Sequence, residues 1–195
     1  MKRKVLIITD GDAAAQKAVE KIAQKVGGRC ISMSGGNPTP LTGREIVQLI
    51  KDTPYDPVLV MVDDRGKSSR GRGEEALKSI AEHPDVEVLG VVAVASNTQK
   101  AKGTLVDFSV TKNNEIIDAP VDKYGNAAEF SEYLKGDTVD VLRSLDIPIV
   151  VGVGDIGKQD GADYNQAPVT TEAVSEILRR SGYLNGNNEG KSSGK

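Results

Sequence analysis

The chain has 195 residues and a formal net charge of −3, and its hydrophobic and charged fractions of 38% and 27% are those of a globular protein. The negative charge and the scarcity of aromatic residues, with no Trp and two Phe, argue against a nucleic-acid partner, because such surfaces are usually basic and offer rings for base stacking. Cys30 has no second cysteine to pair with, and no stretch approaches the ~18 apolar residues of a membrane-spanning helix, so the sequence predicts a soluble protein without disulfides.

Apolar runs and amphipathic stretches alternate along the chain. A strand is predicted at 4–9 and a helix at 13–26, with Asp12 as the N-cap of the helix. The segment 34–40 is dense in Gly and Pro, which predicts an exposed loop, and Thr42 with Glu45 forms the capping box of the next helix. The other predicted elements are strands at 29–32, 58–62, 86–95 and 148–152, helices at 73–82, 138–145 and 170–181, and a hairpin over 106–117.

This order of elements predicts the fold class. Strands alternating with helices favour a three-layer α/β fold of Rossmann-like or Toprim-like type, with a mostly parallel sheet and helices on both faces. The hairpin is expected as an antiparallel addition to that sheet. We predict a single domain over residues 1–185 and a disordered polar tail over residues 186–195.

Three predicted strands end in aspartates. Asp10 and Asp12 follow the first strand, Asp63 and Asp64 follow the third, and Asp155 follows the last. Because the carboxyl ends of parallel strands meet at one edge of a sheet, we expect these side chains at a common site. Carboxylate oxygens are the ligands that Ca²⁺ and Mg²⁺ prefer, so the edge is a candidate cation or ligand site. The alternative is that each aspartate caps a helix or holds a loop by accepting backbone N–H groups.

The segment 152–158, GVGDIGK, lies at the same predicted edge. It matches the dinucleotide motif G-x-G-x-x-G and nearly matches a P-loop, but loop residues follow it where a helix is required, and Gln159 occupies the Ser/Thr position of the P-loop. We interpret both matches as fortuitous. A glycine-rich turn that binds a nucleotide or another anion, assisted by Lys158, remains an alternative.

The predicted ligand or partner face therefore combines the strand-end acids with this turn. It comprises Asp10, Asp12, Asp63, Asp64, Gly152, Gly154, Asp155 and Lys158, and the candidate metal ligands within it are Asp10, Asp63, Asp64 and Asp155. The single histidine, His83, precedes Pro84 at a predicted helix end, which leaves no Ser-His-Asp triad. Since no complete catalytic constellation is visible, we predict no catalytic residues and no required cofactor, with Ca²⁺ or Mg²⁺ as the candidate ions.

The first half of the chain also resembles the Toprim fold of topoisomerases, primases and small nucleases. In that fold an acid follows the first strand and two Asp separated by one residue follow a later strand, and together they bind Mg²⁺. Here Asp63 and Asp64 are adjacent, and adjacent residues of an extended chain point in opposite directions, so we do not expect both to ligate one ion. The resemblance implies an alternative function as a Mg²⁺-dependent phosphotransfer enzyme or nuclease.

Seven segments together resemble another family over nearly the whole chain. They are VLIITDGD at 5–12, GGRCISMSGGNP at 27–38, PVLVMVDDRG at 57–66, GVVAVASN at 90–97, VDKYG at 121–125, PIVVGVGDIGK at 148–158 and ILRRSGY at 177–183. These segments are similar to the stage V sporulation protein AE family.

That resemblance implies a role rather than a catalytic mechanism. It implies a soluble subunit, peripherally associated with the spore inner membrane, of the assembly that moves calcium dipicolinate during sporulation and germination. The implied partners are other stage V sporulation channel proteins, both membrane and soluble, with membrane contact only through them. The family brings no established catalytic residues to this sequence.

Overall fold

The computed structural model describes residues 1–66, 71–98 and 101–184. Its strands are β1 (Arg3–Ile8), β2 (Arg29–Cys30), β3 (Val58–Met61), β4 (Val86–Val94), β5 (Phe108–Val110), β6 (Ile116–Ile117) and β7 (Val150–Val153). Its α-helices are α1 (Ala13–Lys25), α2 (Gly43–Asp52), α3 (Arg72–Ala81) and α4 (Pro168–Arg180). The tail predicted over 186–195 lies outside the described residues, as does 67–70 of the basic loop between β3 and α3.

The strands form a seven-stranded sheet in the order β2-β3-β1-β4-β7-β5-β6. Neighbouring strands are parallel except β5 and β6, which form the antiparallel hairpin. Ile8 of β1 is level with Met61 of β3 and Val92 of β4, so these strands end at a common edge. The predicted fold class, α/β with a mostly parallel sheet and an appended hairpin, is confirmed.

Helices cover both faces of this sheet. Leu6 and Ile8 of β1 pack in a core with α1 and α4, whereas Val5 and Ile7 pack in the opposite core with α2 and α3. All four side chains are fully buried, and each such burial contributes roughly 1.5–3 kcal/mol relative to an exposed side chain. Burial on two faces explains why the strands read as continuous apolar runs without alternation.

The helix starts follow local capping chemistry. Asp12 accepts hydrogen bonds from the N–H groups of Ala14 and Ala15 at the start of α1, and Thr42 with Glu45 forms the predicted capping box of α2. Helix α4 begins at Pro168, earlier than predicted, and buried Asp163 accepts from the N–H groups of Val169 and Thr170. Asp163 lies five residues before the start of α4, outside the usual capping spacing, so no local sequence signal marks this role.

Two predicted elements differ from the structure. The helix predicted at 138–145 is a 3₁₀ turn over Asp140–Ser144. The loop 34–40 is not wholly exposed, because Ser34 and Thr39 are fully buried. Ser34 accepts a hydrogen bond from the N–H of Met61, and Thr39 both donates to and accepts from the backbone of Asp63. Because β2 is only two residues long, it does not extend alongside the end of β3. The side chains of Ser34 and Thr39 supply the hydrogen bonds to the β3 backbone there.

Candidate functional site: a charged cavity at the strand ends

The connections that leave β1 and β3 diverge. The chain leaves β1 for α1 on one face of the sheet and leaves β3 for α3 on the other face, which opens a crevice beyond the carboxyl ends of the strands. A cavity of about 260 Å³ lies in this crevice. The predicted residues that line it are Asp10, Asp12, Asp63, Asp155 and Lys158. Three strand ends thus deliver their acids to one place, as the sequence indicated.

Asp10, which follows β1, is buried, with 8% of its surface exposed. Its Oδ1 accepts a hydrogen bond from the N–H of Asp12, 3.1 Å away. Burial, reinforced by the negative charges of Asp12, Asp63 and Asp155, raises the pKa of Asp10 to about 8. At pH 7 this side chain is therefore mainly a neutral carboxylic acid, which can donate a hydrogen bond as well as accept one.

Asp63 joins the ends of two neighbouring strands. Its Oδ2 accepts from the N–H of Gly11 at 3.2 Å, and its Oδ1 accepts from the N–H of Arg65 at 2.7 Å. Burial, with the nearby charges of Asp137 and Asp64, raises the pKa of Asp63 to about 6, so it is mostly ionised at pH 7. A side chain at Gly11 would place its Cβ 2.5 Å from the carbonyl oxygen of Gly36 and 3.2 Å from the Cβ of Asp63, so this approach requires glycine.

Lys158 bridges the start of α1 and the end of β7. Its Nζ lies 2.8 Å from Asp12 Oδ2 and 3.0 Å from Asp155 Oδ1. Although burial opposes the charged form, the hydrogen bonds that Lys158 donates to the carboxylates of Asp12 and Asp155 raise the pKa of Lys158. Conversely, the pKa of Asp12 is lowered despite its partial burial, because Lys158 and the N–H groups of Ala15 and Ala14 donate to it. Lys158 therefore neutralises part of the cavity charge.

The structure corrects the predicted face at Asp64, which does not line the cavity. Asp64 is 1% exposed and accepts from the N–H groups of Gly73 at 2.7 Å and Glu74 at 3.0 Å, at the start of α3. Burial raises its pKa, although these two hydrogen bonds oppose the shift. Asp63 and Asp64 thus serve different partners, as their adjacency on an extended chain predicts. Asp64 therefore matches the alternative interpretation given above, in which an aspartate accepts hydrogen bonds from backbone N–H groups at the start of a helix.

Gly152 and Gly154 are also absent from the cavity lining. Gly152 lies within β7 and packs against Ser109 of β5, while a Cβ at Gly154 would lie 2.7 Å from the backbone nitrogen of Gly125. Both glycines therefore permit close packing of neighbouring backbone rather than approach of a ligand.

Three N–H groups of the turn after β7 are already engaged within the described part of the chain. The N–H of Asp155 donates to the carbonyl of Lys123, that of Gly157 to the carboxylate of Asp163, and that of Lys158 to the carbonyl of Asp155. A 3₁₀ turn over Gln159–Gly161 follows, where a nucleotide motif would open an α-helix. This geometry agrees with the interpretation that the matches to nucleotide motifs are fortuitous. It does not support the alternative of an anion-binding turn.

Sequence reasoning missed the residues that the irregular segment between β4 and β7 contributes. Asp137 accepts from the hydroxyl of Ser96 at 3.2 Å and from the N–H of Gly66, and both Asp137 and Lys123 line the cavity. Lys123 belongs to the VDKYG segment that carried part of the family resemblance, which was the available signal for it. Asp137 has no periodic or motif context, so nothing in the sequence marked it. The other polar residues of the lining are Thr9, Asn37, Ser96 and Asn97.

The structure brings three of the four predicted metal ligands, Asp10, Asp63 and Asp155, to the cavity and leaves Asp64 outside it. Among residues 1–66, 71–98 and 101–184, no three or more His, Cys, Asp or Glu side chains are grouped to hold a metal ion. Asp64 is directed to the start of α3, and each oxygen of Asp63 accepts one backbone N–H group.

Fold and cavity together define a three-layer α/β protein with a charged binding crevice at the carboxyl ends of its parallel strands. The sequence model of the family described as Stage V sporulation protein AE1 matches residues 4–181. The chain belongs to this family and has a sporulation-related role. Neither a curated protein nor a solved structure matches it. In the part of the chain that the structure describes, every helix is too short or too polar to cross a bilayer.

Proposed function

We propose that this protein is a soluble accessory or regulatory subunit of the spore inner-membrane assembly that takes up and releases calcium dipicolinate in sporulation and germination. The observation that carries the proposal is the family match over residues 4–181, which spans both halves of the sheet. The proposed partners are other stage V sporulation channel proteins, both membrane and soluble, and the protein associates peripherally with the membrane through them.

The cavity supports a binding role within such an assembly. It is open at the edge of the sheet and presents carboxylates and lysines, and crevices at this place in α/β sheets are where ligands bind. We therefore assign the engagement of a ligand or of a partner loop to this face, through Asp10, Asp12, Asp63, Asp155 and Lys158.

Crosslinking in sporulating cells followed by co-purification tests the proposal. The wild-type chain is expected to recover other stage V sporulation proteins from the membrane fraction, and the double variant Asp63→Ala/Asp155→Ala is expected to recover less. Asp118→Asn removes an exposed acid that does not line the cavity and serves as the matched control. Recovery of the chain without any stage V membrane protein would contradict the proposal.

The Toprim-like alternative has one observation in its favour, namely that Asp10 and Asp63 line the same cavity. A Mg²⁺-dependent activity on DNA or nucleotides, lost in Asp63→Ala and retained in Asp118→Asn, would support it. Because Asp64 caps α3, Asp64→Ala is expected to reduce stability and is not an informative active-site variant.

A further inference from the structure

The turn that follows β7 carries a buried side chain without polar partners. Gln159 is 1% exposed, and neither Oε1 nor Nε2 of its amide makes a hydrogen bond with any residue that the structure describes. The side chain fills the space beside Gly125 and Gly154, where a Cβ at Gly154 would lie 2.9 Å from Oε1. A buried amide without partners costs free energy that the same amide in water does not. The buried position of Gln159 is therefore opposed by the polar end of its own side chain.

The backbone at Gln159 opposes the same position. Its φ is +47°, in the left-handed region that residues other than glycine adopt at a cost. Lys158, directly before it, has φ −126° and ψ −95°, which is neither helical nor extended. Two consecutive residues with unfavourable backbone thus coincide with the unpaired amide. The surroundings, rather than the preferences of these residues, keep this part of the turn in place.

Firm anchors lie on both sides of this strained point. Ile156 is fully buried in the core with α1 and α4, and Asp163 is fully buried and accepts from N–H groups at the start of α4. Between the anchors, Gly157 and Gly161 have φ of +74° and +88°. Glycine changes its backbone angles with little steric penalty, so these two residues provide hinges. Residues 157–162 therefore form a flap between two fixed points.

The ties that hold this flap closed are weak. Lys158 Nζ lies 2.8 Å from Asp12 Oδ2, but the lysine side chain is half exposed, and such ion pairs contribute little to stability. The N–H groups of Gly161 and Ala162 donate to the carbonyls of Lys158 and Gln159, so these hydrogen bonds lie inside the flap. Opening can therefore keep the internal hydrogen bonds while it breaks one exposed ion pair and hydrates the amide.

We infer that residues 157–162 open locally as a flap of the cavity, with Gln159 leaving its buried position and Lys158 separating from Asp12. Because Lys158 lines the cavity, this motion widens the cavity on that side and frees the carboxylate of Asp12 for another partner. The motion does not depend on which ligand or partner the cavity binds. It is thus independent of the function proposed above.

Amide hydrogen exchange of the full chain, followed by NMR, measures this opening. The reporters are the N–H groups of Gly161 and Ala162, and the reference is the N–H of Val91, which donates to Ile149 in the sheet. Relative to their unprotected rates, the reporters are expected to exchange about a hundredfold faster than Val91, without the urea dependence of global unfolding. Reporters that share the protection and the urea dependence of Val91 would overturn the inference, because the flap would then open only when the whole protein unfolds.

Gln159→Met tests the cause of the opening. Methionine has nearly the length of glutamine and no amide to leave unpaired, so this variant is expected to favour the closed flap and to slow exchange at the reporters about tenfold. Lys158→Gln removes the tie to Asp12 and is expected to speed that exchange by up to about fivefold. Gln24→Met replaces an exposed glutamine of α1 and serves as the control, with wild-type exchange at the reporters.

Contrary results are equally decisive. Exchange that is faster or unchanged in Gln159→Met would overturn the inference, because the amide would then have partners in solution, such as a buried water. Failure of this variant to fold would have the same meaning. Unchanged exchange in Lys158→Gln would overturn the inference at Lys158, whose separation from Asp12 is part of the motion. Crosslinking to stage V partners tests the proposed function separately, so either can fail without the other.

Discussion

The carboxylate of Asp63 accepts a hydrogen bond from the backbone N–H of Gly11, with 3.2 Å between nitrogen and oxygen. One residue ends β3 and the other follows β1, so this bond fixes the wall of the cavity across two neighbouring strands. Gly11 also lies against Gly36, which brings the loop after β2 to the same place. The cavity wall is therefore built from three connections that are distant in sequence.

Replacement of Gly11 by alanine is expected to destabilise the protein by about 1–3 kcal/mol, as overpacking of a filled site does. The added Cβ would lie 2.5 Å from the backbone oxygen of Gly36, which has little freedom to move. Gly35→Ala is the control, because its nearest atoms include the flexible ends of Met61 and Gln16, at 3.2 and 3.3 Å. Urea unfolding of both variants measures the difference, and equal midpoints for the two would show that the Gly11 contact is not tight.

The stability of the protein is expected to fall as pH rises from about 5 to 8. Burial raises the pKa of Asp10 to about 8 and that of Asp63 to about 6, from an ordinary value of 3.8. Between the unfolded and folded pKa values the folded state holds a proton that the unfolded state has released, so stability declines with pH. The slope cannot exceed about 1.4 kcal/mol per pH unit for each proton, and as pH rises past 6 the contribution of Asp63 fades while that of Asp10 persists to about pH 8.

Asp10→Asn separates this effect from other titrations. Asparagine retains the oxygen that accepts from Asp12 and cannot ionise, so its urea midpoint is expected to change little between pH 6 and 8. Asp118→Asn should keep the wild-type slope, since Asp118 is exposed. A wild-type midpoint that stays constant over the same interval would show that Asp10 is already ionised at pH 6.

Lys158 and Asp12 are expected to contribute unequally to stability. Lys158→Gln removes ion pairs of a half-exposed side chain, which are worth less than about 1 kcal/mol. Asp12→Ala removes one of these ion pairs and also the N-cap of α1, and loss of the cap adds about 0.5–2 kcal/mol. Chemical denaturation of the two single variants and the double variant gives the coupling energy. A larger loss in Lys158→Gln than in Asp12→Ala would contradict the capping role.

Asp163 is expected to be the most sensitive of the acids near the site. It is fully buried and accepts from the N–H groups of Val169, Thr170 and Gly157 and from the hydroxyl of Thr170. Asp163→Ala would leave these donors buried without an acceptor, at about 1–3 kcal/mol for each one that water does not reach. Thermal unfolding should show a far larger loss than exposed Asp146→Asn, and similar losses would mean that water replaces the carboxylate.

Much of the fold could be predicted from the sequence because its signals are local. The continuous apolar runs of β1, β3 and β4, the capping box at Thr42 and the hairpin predicted over 106–117 each depend on residues close together in the chain. The convergence of Asp10, Asp63 and Asp155 followed from one general property of parallel sheets. The sequence alone did not decide whether Asp64 lines the cavity or holds the start of α3, because the direction of its side chain depends on where that helix starts.

The remaining site residues could not be predicted because long-range contacts place them. Asp137 reaches the cavity through hydrogen bonds with Ser96 and Gly66, which lie 41 and 71 residues away in the chain. The segment that carries Asp137 and Lys123 has little regular structure, so neither helical nor strand periodicity marks which of its side chains turn inward. The role of Asp163 was equally hidden from the sequence, because the four groups that donate hydrogen bonds to it come together only when α4 packs against the sheet.

The position of β7 has a consequence for how the chain reaches its native state on the ribosome. The last strand to be synthesised lies between β4 and β5, so the β5–β6 hairpin has no place in the sheet until residue 153 has emerged. Lys158, which closes the charge network with Asp12, emerges later still. A nascent chain released before that point would expose the unpaired flank of β4, and premature termination there should yield fragments that proteases degrade rapidly.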